Sequence, residues 1–80
     1  MKRVEDLISS AKATHDRYAA GRMDREIVRQ WMLGLSSAYP APYGEKILEA
    51  VDWFRPARDD MDPVELKIAD LARLHAIYAS

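Results

Sequence analysis

Apolar side chains recur along the chain at steps of three and four residues, which is the period of an α-helix. The first such run starts at Val4 and Leu7, and three more follow between the Gly and Pro residues. No stretch shows the two-residue alternation that is typical of a β-strand. We therefore predict four helices, at residues 3–20, 24–39, 43–54 and 62–79. Joined by short loops, they indicate an all-α fold, either a compact four-helix bundle or an orthogonal array.

Residues that favour helix ends support these boundaries. Gly21 can take the positive φ angle that often follows a helix. Asp24 and Asp62 can accept hydrogen bonds from the free amides of a first turn, and Pro63 lies where its missing amide costs nothing. Pro40 is expected to end the second helix, because the residue before a proline is pushed out of the α region.

The apolar periodicity also predicts which faces of the last two helices point into the core. For the third helix, the expected core face consists of Ile47, Leu48, Val51 and Phe54. For the fourth helix, it consists of Val64, Ile68, Leu71, His75 and Tyr78, widened by Leu74 and Ile77.

Composition limits the classes of function. Eighty residues allow one domain, which we expect to span residues 1–80. A net charge of −1 lacks the strongly basic character of proteins that bind the nucleic-acid backbone. The absence of Cys excludes a disulfide framework and a thiolate zinc site. No apolar run approaches the ~20 residues of a membrane span, so we expect a cytoplasmic protein that does not bind membranes.

The chain contains no recognisable arrangement of catalytic residues. The two Ser pairs lack the strained turn of a nucleophile elbow, and there is no Gly-rich loop that could hold phosphate. The acids near residue 60 lack the alternating spacing and central Gly of a calcium loop. We therefore predict a protein that is not an enzyme and that uses no cofactor.

The two His residues lie in an internal repeat. The first and fourth helices both carry His-x-x-Tyr near their C-terminal ends, with His15 and Tyr18 in one and His75 and Tyr78 in the other. Either the imidazoles meet across the bundle and bind a metal or titrate together, or they hydrogen-bond at the edge of a shared core stripe. Because two His without a third nearby ligand rarely make a metal site, we favour the second interpretation and predict no metal site.

The aromatic residues and Arg residues indicate where a partner would bind, because Tyr, Trp and Arg are enriched at binding hot spots. As partner-binding residues we predict Tyr39, Tyr43, Trp53, Arg55 and Arg58. In the alternative interpretation, the two Tyr pack over the loop and Trp53 closes the end of the bundle. The predicted function is a small protein-interaction module, a regulator, adaptor or inhibitor of the kind that phages and mobile elements encode, which binds a protein partner or forms a homo-oligomer.

A concentration of Arg residues supports a second hypothesis. Four of them cluster around the first loop and the start of the second helix, namely Arg17, Arg22, Arg25 and Arg29. They either bind an anion or nucleic acid, or form a solvated face with local ion pairs. The alternative function is therefore a small helical nucleic-acid-binding regulator that uses the Arg17–Arg29 face, although the acidic third helix makes nucleic acid the less favoured partner.

Overall fold

The computed structural model describes residues 3–55 and 60–79. In these ranges the chain forms four α-helices and no β-strand, which confirms the predicted all-α fold. The helices are α1 (Val4–Ala19), α2 (Arg25–Leu35), α3 (Tyr43–Trp53) and α4 (Pro63–Tyr78). None of these four helices combines the length and the hydropathy that a membrane span requires.

Three helix ends follow directly from the sequence. Gly21, just after α1, has a φ angle of 74°, which is accessible to glycine at no steric cost. Asp24 caps α2, and its side chain accepts a first-turn amide at 2.9 Å. Asp62 caps α4 in the same way, with two amides at 3.0 and 3.3 Å. These three predictions are confirmed.

Helix α2 is shorter than predicted. It ends at Leu35 rather than at residue 39, so Pro40 is not the residue that ends it. The turn that follows packs directly on Gly44 in the first turn of α3. A Cβ atom at this position would lie 2.8 Å from the carbonyl oxygen of Tyr39 and 3.1 Å from that of Ser36. The close approach of the turn to α3 therefore depends on the missing side chain.

The helices form two antiparallel pairs, α1 with α4 and α2 with α3, and these pairs make the most extensive contacts of the fold. Along α1, His15 lies beside Tyr78, whereas Tyr18 reaches back to Asp70, so α4 runs in the opposite direction. The first residue of α2 reaches the backbone just beyond the end of α3. The first and last helices therefore form one pair, and the second and third helices form the other.

Every helix contributes apolar residues to one core. The larger of them are Leu7 and Tyr18 from α1, Val28 and Met32 from α2, Ile47 from α3 with Phe54 directly after it, and Leu74 and Ile77 from α4. Leu48 is 53% exposed, so its predicted place on the core face of α3 is wrong, while Ile47 and Phe54 are buried as predicted.

The predicted core face of α4 is wrong in part. Val64, Ile68 and His75 are exposed, whereas Leu74 and Ile77 are buried, and Leu71 and Tyr78 pack against the core as predicted. Val64 and Ile68 are 67% and 64% exposed, and the buried residues of this helix are Asp70, Leu74 and Ile77. Helix α4 is apolar on two sides, and only one of them fits against the other helices. Periodicity alone cannot choose between two apolar sides of one helix.

Candidate functional site

A buried carboxylate lies at the centre of the helix contacts. The side chain of Asp70, in the middle of α4, is completely shielded from solvent. It accepts hydrogen bonds from Tyr18 Oη at 2.7 Å, from Arg25 Nε at 2.9 Å and from Trp53 Nε1 at 2.8 Å. These donors belong to α1, α2 and α3, so one side chain connects three helices to the fourth. We call these four residues the Asp70 cluster.

The Asp70 cluster compensates the charge that it buries. The desolvation of a buried ion pair is costly unless further hydrogen bonds satisfy its remaining polar atoms. Here Oδ2 of Asp70 accepts from Arg25 and Tyr18, and Oδ1 accepts from Trp53. Burial, and then the hydrogen bond to Asp70, raises the pKa of the Tyr18 hydroxyl, because a buried phenolate would lose solvation and face a carboxylate. Tyr18 therefore remains a donor at neutral pH.

Arg25 also stabilises the end of α3. Its Nη1 and Nη2 donate to the carbonyl oxygens of Arg55 and Trp53 at 2.7 and 2.9 Å. Its guanidinium carbon lies 5.0 Å from the ring centre of Phe54. A cation at this position complements the unpaired carbonyls and the negative end of the helix dipole. All three guanidinium nitrogens of Arg25 thus bond inside the fold.

The structure places the predicted partner-binding residues in different environments. Tyr39 is 7% exposed and belongs to the core, and the indole of Trp53 bonds within the Asp70 cluster. Tyr43 is half-buried at the start of α3, Arg55 is exposed beyond its end, and Arg58 lies outside the described residues. Tyr43 and Trp53 are separated by about 15 Å along the helix axis. The structure therefore does not bring these residues together as one surface, and their contact with a partner stays a prediction.

The predicted anion-binding Arg residues are also divided. Arg25 points into the Asp70 cluster, and Arg29 pairs with Glu26 at 3.2 Å on its own helix. Arg17 and Arg22 are exposed near the loop between α1 and α2. The four guanidinium groups therefore do not form one free cationic face.

Helix α4 presents a second apolar side to solvent. Val64 and Ile68 are one turn apart, and the exposed Ala72 continues the same side. Among the described residues, Val64 and Ile68 are the most exposed large apolar side chains, and Ile27 and Leu33 of α2 and Leu48 of α3 are exposed to a lesser extent. We call Val64, Ile68 and Ala72 the outer face of α4.

A groove of about 330 Å³ lies between α3 and α4. Its lining includes the charged residues Lys46, Glu49 and Arg73, together with Ile77 and three Ala residues. The guanidinium carbon of Arg73 lies 4.3 Å from the ring centre of Trp53. Side chains of both charge signs line the groove, so its electrostatics do not select one class of ligand.

The two imidazoles meet where α1 packs on α4. The ring centres of His15 and His75 are 6.4 Å apart. The ring of Tyr78 lies 5.8 Å from His15 and 5.0 Å from His75, edge-on to both. Nδ1 of His15 is 3.4 Å from a carboxylate oxygen of Asp16. Within the described part of the chain, no group of three or more His, Asp or Glu residues could hold a metal ion.

Sequence reasoning missed Asp70, although its position carried a signal. Asp70 precedes Leu74 by four residues and Ile77 by seven, so all three share one side of the helix. A carboxylate on the buried side of a helix requires donors from neighbouring elements. The apolar pattern through Val64 and Ile68 favoured the other side of the helix, so Asp70 was not recognised as a core residue.

Comparisons of the chain with protein-family models, with curated proteins and with solved structures find no match. The chemistry of the residues described above is therefore the basis for the functional proposal.

Proposed function

We propose that this protein is a small, non-enzymatic protein-interaction module, a regulator, adaptor or inhibitor, that binds a protein partner or another copy of itself. The observation that carries the proposal is the exposure of Val64 and Ile68 on a helix whose opposite side already fills the core. Apolar side chains that lie together on a surface are typical of protein–protein contacts.

The outer face of α4 has the spacing and the chemistry of a helix-recognition surface. Side chains one turn apart are the anchors that a groove or a second helix recognises. Complete burial of one aliphatic side chain contributes about 1.5–3 kcal/mol. Because Val64 and Ile68 are about two-thirds exposed, a partner that covers both gains much of this energy at each position.

The Asp70 cluster supports a binding role for the opposite side of α4. It fixes α4 to the other three helices by hydrogen bonds, so the outer face lies on a rigid element. A rigid surface loses little conformational entropy when a partner binds. The polar groups of Asp70 and Arg25 are satisfied by each other and by neighbouring groups, which favours a structural role for them over a catalytic one.

The alternative, a nucleic-acid-binding regulator, has weaker support. Its predicted face requires four free Arg side chains, and Arg25 and Arg29 already have carboxylate partners. Of this set, Arg17 and Arg22 are exposed, whereas Arg25 and Arg29 are partly buried. Two exposed cations on a chain of net charge −1 favour an ordinary solvated surface.

The test compares two Lys substitutions at similarly exposed apolar positions. Ile68→Lys places a charge on the outer face, and Leu33→Lys places one on α2, where Leu33 is 51% exposed. Light scattering gives the molar mass over a concentration series, and the immobilised chain captures partners from a lysate of its source cells. We expect association by the wild type and by Leu33→Lys, and a loss of at least about tenfold in affinity for Ile68→Lys, equivalent to about 1.4 kcal/mol.

The proposal fails if the wild type remains monomeric at high concentration and captures no protein. It also fails if Ile68→Lys associates as tightly as Leu33→Lys. Val64→Glu provides a second variant of the same surface, in the first turn of α4, where an acidic side chain suits the helix dipole.

A further inference from the structure

Although the sequence favours the interpretation without a metal, the structure brings the two imidazoles together, and we propose that His15 and His75 form a weak binding site for a divalent transition-metal ion with the ligand preference of Zn²⁺ or Ni²⁺. The bound ion would connect α1 directly to α4. The site lies between two helices that already pack together, and it does not depend on the proposed protein-binding function.

The two rings lie close to the separation that a shared ion requires. A metal bound at about 2.0–2.1 Å from one nitrogen of each ring holds the ring centres about 5 Å apart at a tetrahedral angle. The ring centres of His15 and His75 are 6.4 Å apart, so binding requires them to approach by about 1 Å. His75 is exposed, so rotation of its side chain can bring the rings to this separation.

A neighbouring carboxylate orients the first imidazole. Oδ1 of Asp16 lies 3.4 Å from Nδ1 of His15, which favours the tautomer with the proton on Nδ1 and the lone pair on Nε2. Metal-binding His residues commonly donate their second ring N–H to a carboxylate in this way. Asp16 is therefore a positioning residue for His15.

The donor set determines the class of ion. Imidazole nitrogen suits Zn²⁺, Ni²⁺ and Cu²⁺, whereas Mg²⁺ prefers oxygen ligands and keeps its waters. Because the described residues offer no third His or carboxylate in a metal-binding group, water would fill the remaining coordination positions. We therefore expect a weaker and more exchangeable site than structural zinc sites with four protein ligands.

The position of the two ligands in the sequence predicts a stabilising effect. His15 and His75 are separated by 60 residues, so an ion held by both closes most of the chain into one loop. Links that close long loops restrict the unfolded chain most strongly. An ion that binds only the folded state raises the melting temperature as its concentration rises.

The composition makes the experiment unusually specific, because the chain has only two His and no Cys. The untagged full chain is melted with increasing Zn²⁺ or Ni²⁺, and with Mg²⁺ as the control ion. We expect the melting temperature to rise by about 6–11 °C when the free Zn²⁺ or Ni²⁺ concentration is about ten times the dissociation constant, and not to change with Mg²⁺. Acidification should remove the effect, because protons compete with the metal for imidazole.

Single substitutions separate chelation from adventitious binding. His15→Gln and His75→Gln should each abolish the shift, Asp16→Asn should reduce it, and the exposed-surface control Lys12→Gln should retain it. Broadening of the NMR signals of both imidazoles at the same Ni²⁺ concentration tests the site in the wild type, without any variant. An absent shift with Zn²⁺ and Ni²⁺, or a full shift in either single-His variant, overturns the proposal.

Discussion

Arg25 and Asp70, which are 45 residues apart in the sequence, form a largely buried ion pair with 2.9 Å between Nε and Oδ2. The same guanidinium donates to two carbonyl oxygens at the end of α3, and the same carboxylate accepts from α1 and α3. The pair therefore links the geometry of all four helices. Loss of either partner would leave the other as an uncompensated buried charge.

Asp70→Asn should destabilise the fold severely. It keeps the size of the side chain but removes the charge that pairs with Arg25, and breaking a buried pair in this way costs about 3–5 kcal/mol. Urea unfolding measures the free energy of unfolding. The matched control is Asp16→Asn, an exposed carboxylate whose loss should change stability by no more than about 0.5 kcal/mol. Equal stability of the two variants would mean that Asp70 does not hold the helices together.

The free energy of unfolding should fall in alkaline solution because of Tyr18. Its pKa is raised in the folded protein, first by burial and then by the hydrogen bond to Asp70. Above about pH 10, the unfolded chain loses this phenolic proton while the folded protein keeps it. Stability is therefore fully present below pH 10 and is lost above it, with a slope that approaches about 1.4 kcal/mol per pH unit for one group.

Tyr18→Phe isolates this contribution. At neutral pH it should lower the free energy of unfolding by about 1–2 kcal/mol, because Asp70 loses one donor. Above pH 10, its free energy of unfolding should fall less steeply with pH than that of the wild type. A residual slope is expected from Tyr39, whose pKa is raised by burial and then by Asp6. If the free energy of unfolding falls with the same slope above pH 10 in the wild type and in Tyr18→Phe, Tyr18 is not the cause of the alkaline destabilisation.

Two glycines should respond to alanine in opposite directions. In Gly44→Ala, the new Cβ meets backbone oxygens at 2.8 and 3.1 Å, so the turn after α2 must move, at about 1–3 kcal/mol. In Gly34→Ala, inside α2, no atom lies within 4 Å of the new Cβ. Because alanine favours a helix, this variant should gain up to about 1 kcal/mol. Thermal unfolding of both variants measures their changes in stability. A loss of stability in Gly34→Ala would contradict the prediction.

The two apolar sides of α4 should differ in their contribution to folding. Leu74→Ala leaves a cavity in the core and should cost about 2–5 kcal/mol. Ile68→Ala removes an exposed side chain and should change stability by about 0.5 kcal/mol or less. Urea unfolding of Leu74→Ala and Ile68→Ala tests directly which side of α4 is buried. A large loss in Ile68→Ala would mean that the outer face is buried in the folded monomer.

The local sequence rules predicted the elements and most of their ends. Helix periodicity located all four helices, and Asp24 and Asp62 were identified as caps, because these features depend on residues close together in the chain. The end of α2 at Leu35 was missed, and the turn that follows it packs on Gly44 of another helix. Local patterns contain no information about such a contact.

The partner-binding residues were harder to predict than the helices. Tyr39 and Trp53 looked available because aromatic residues at stripe edges are common in interfaces. The environment of Trp53 depends on where α4 packs, and α4 has two apolar sides. Asp70 resolves this choice, since its carboxylate must face Arg25, Tyr18 and Trp53. The buried charged residue therefore marks the core face of α4 more clearly than the exposed Val64 and Ile68 do.

NMR of the side-chain N–H groups tests most directly the central claim that Asp70 is the common acceptor of the fold. We expect the Trp53 Nε1–H and Arg25 Nε–H protons to exchange slowly with water, and both to shift in Asp70→Asn or to lose their protection. The Trp31 indole, which donates to Ser10 at 3.2 Å, provides the internal reference. Rapid exchange of the Trp53 and Arg25 protons in the wild type, or spectra unchanged by Asp70→Asn, would contradict the account.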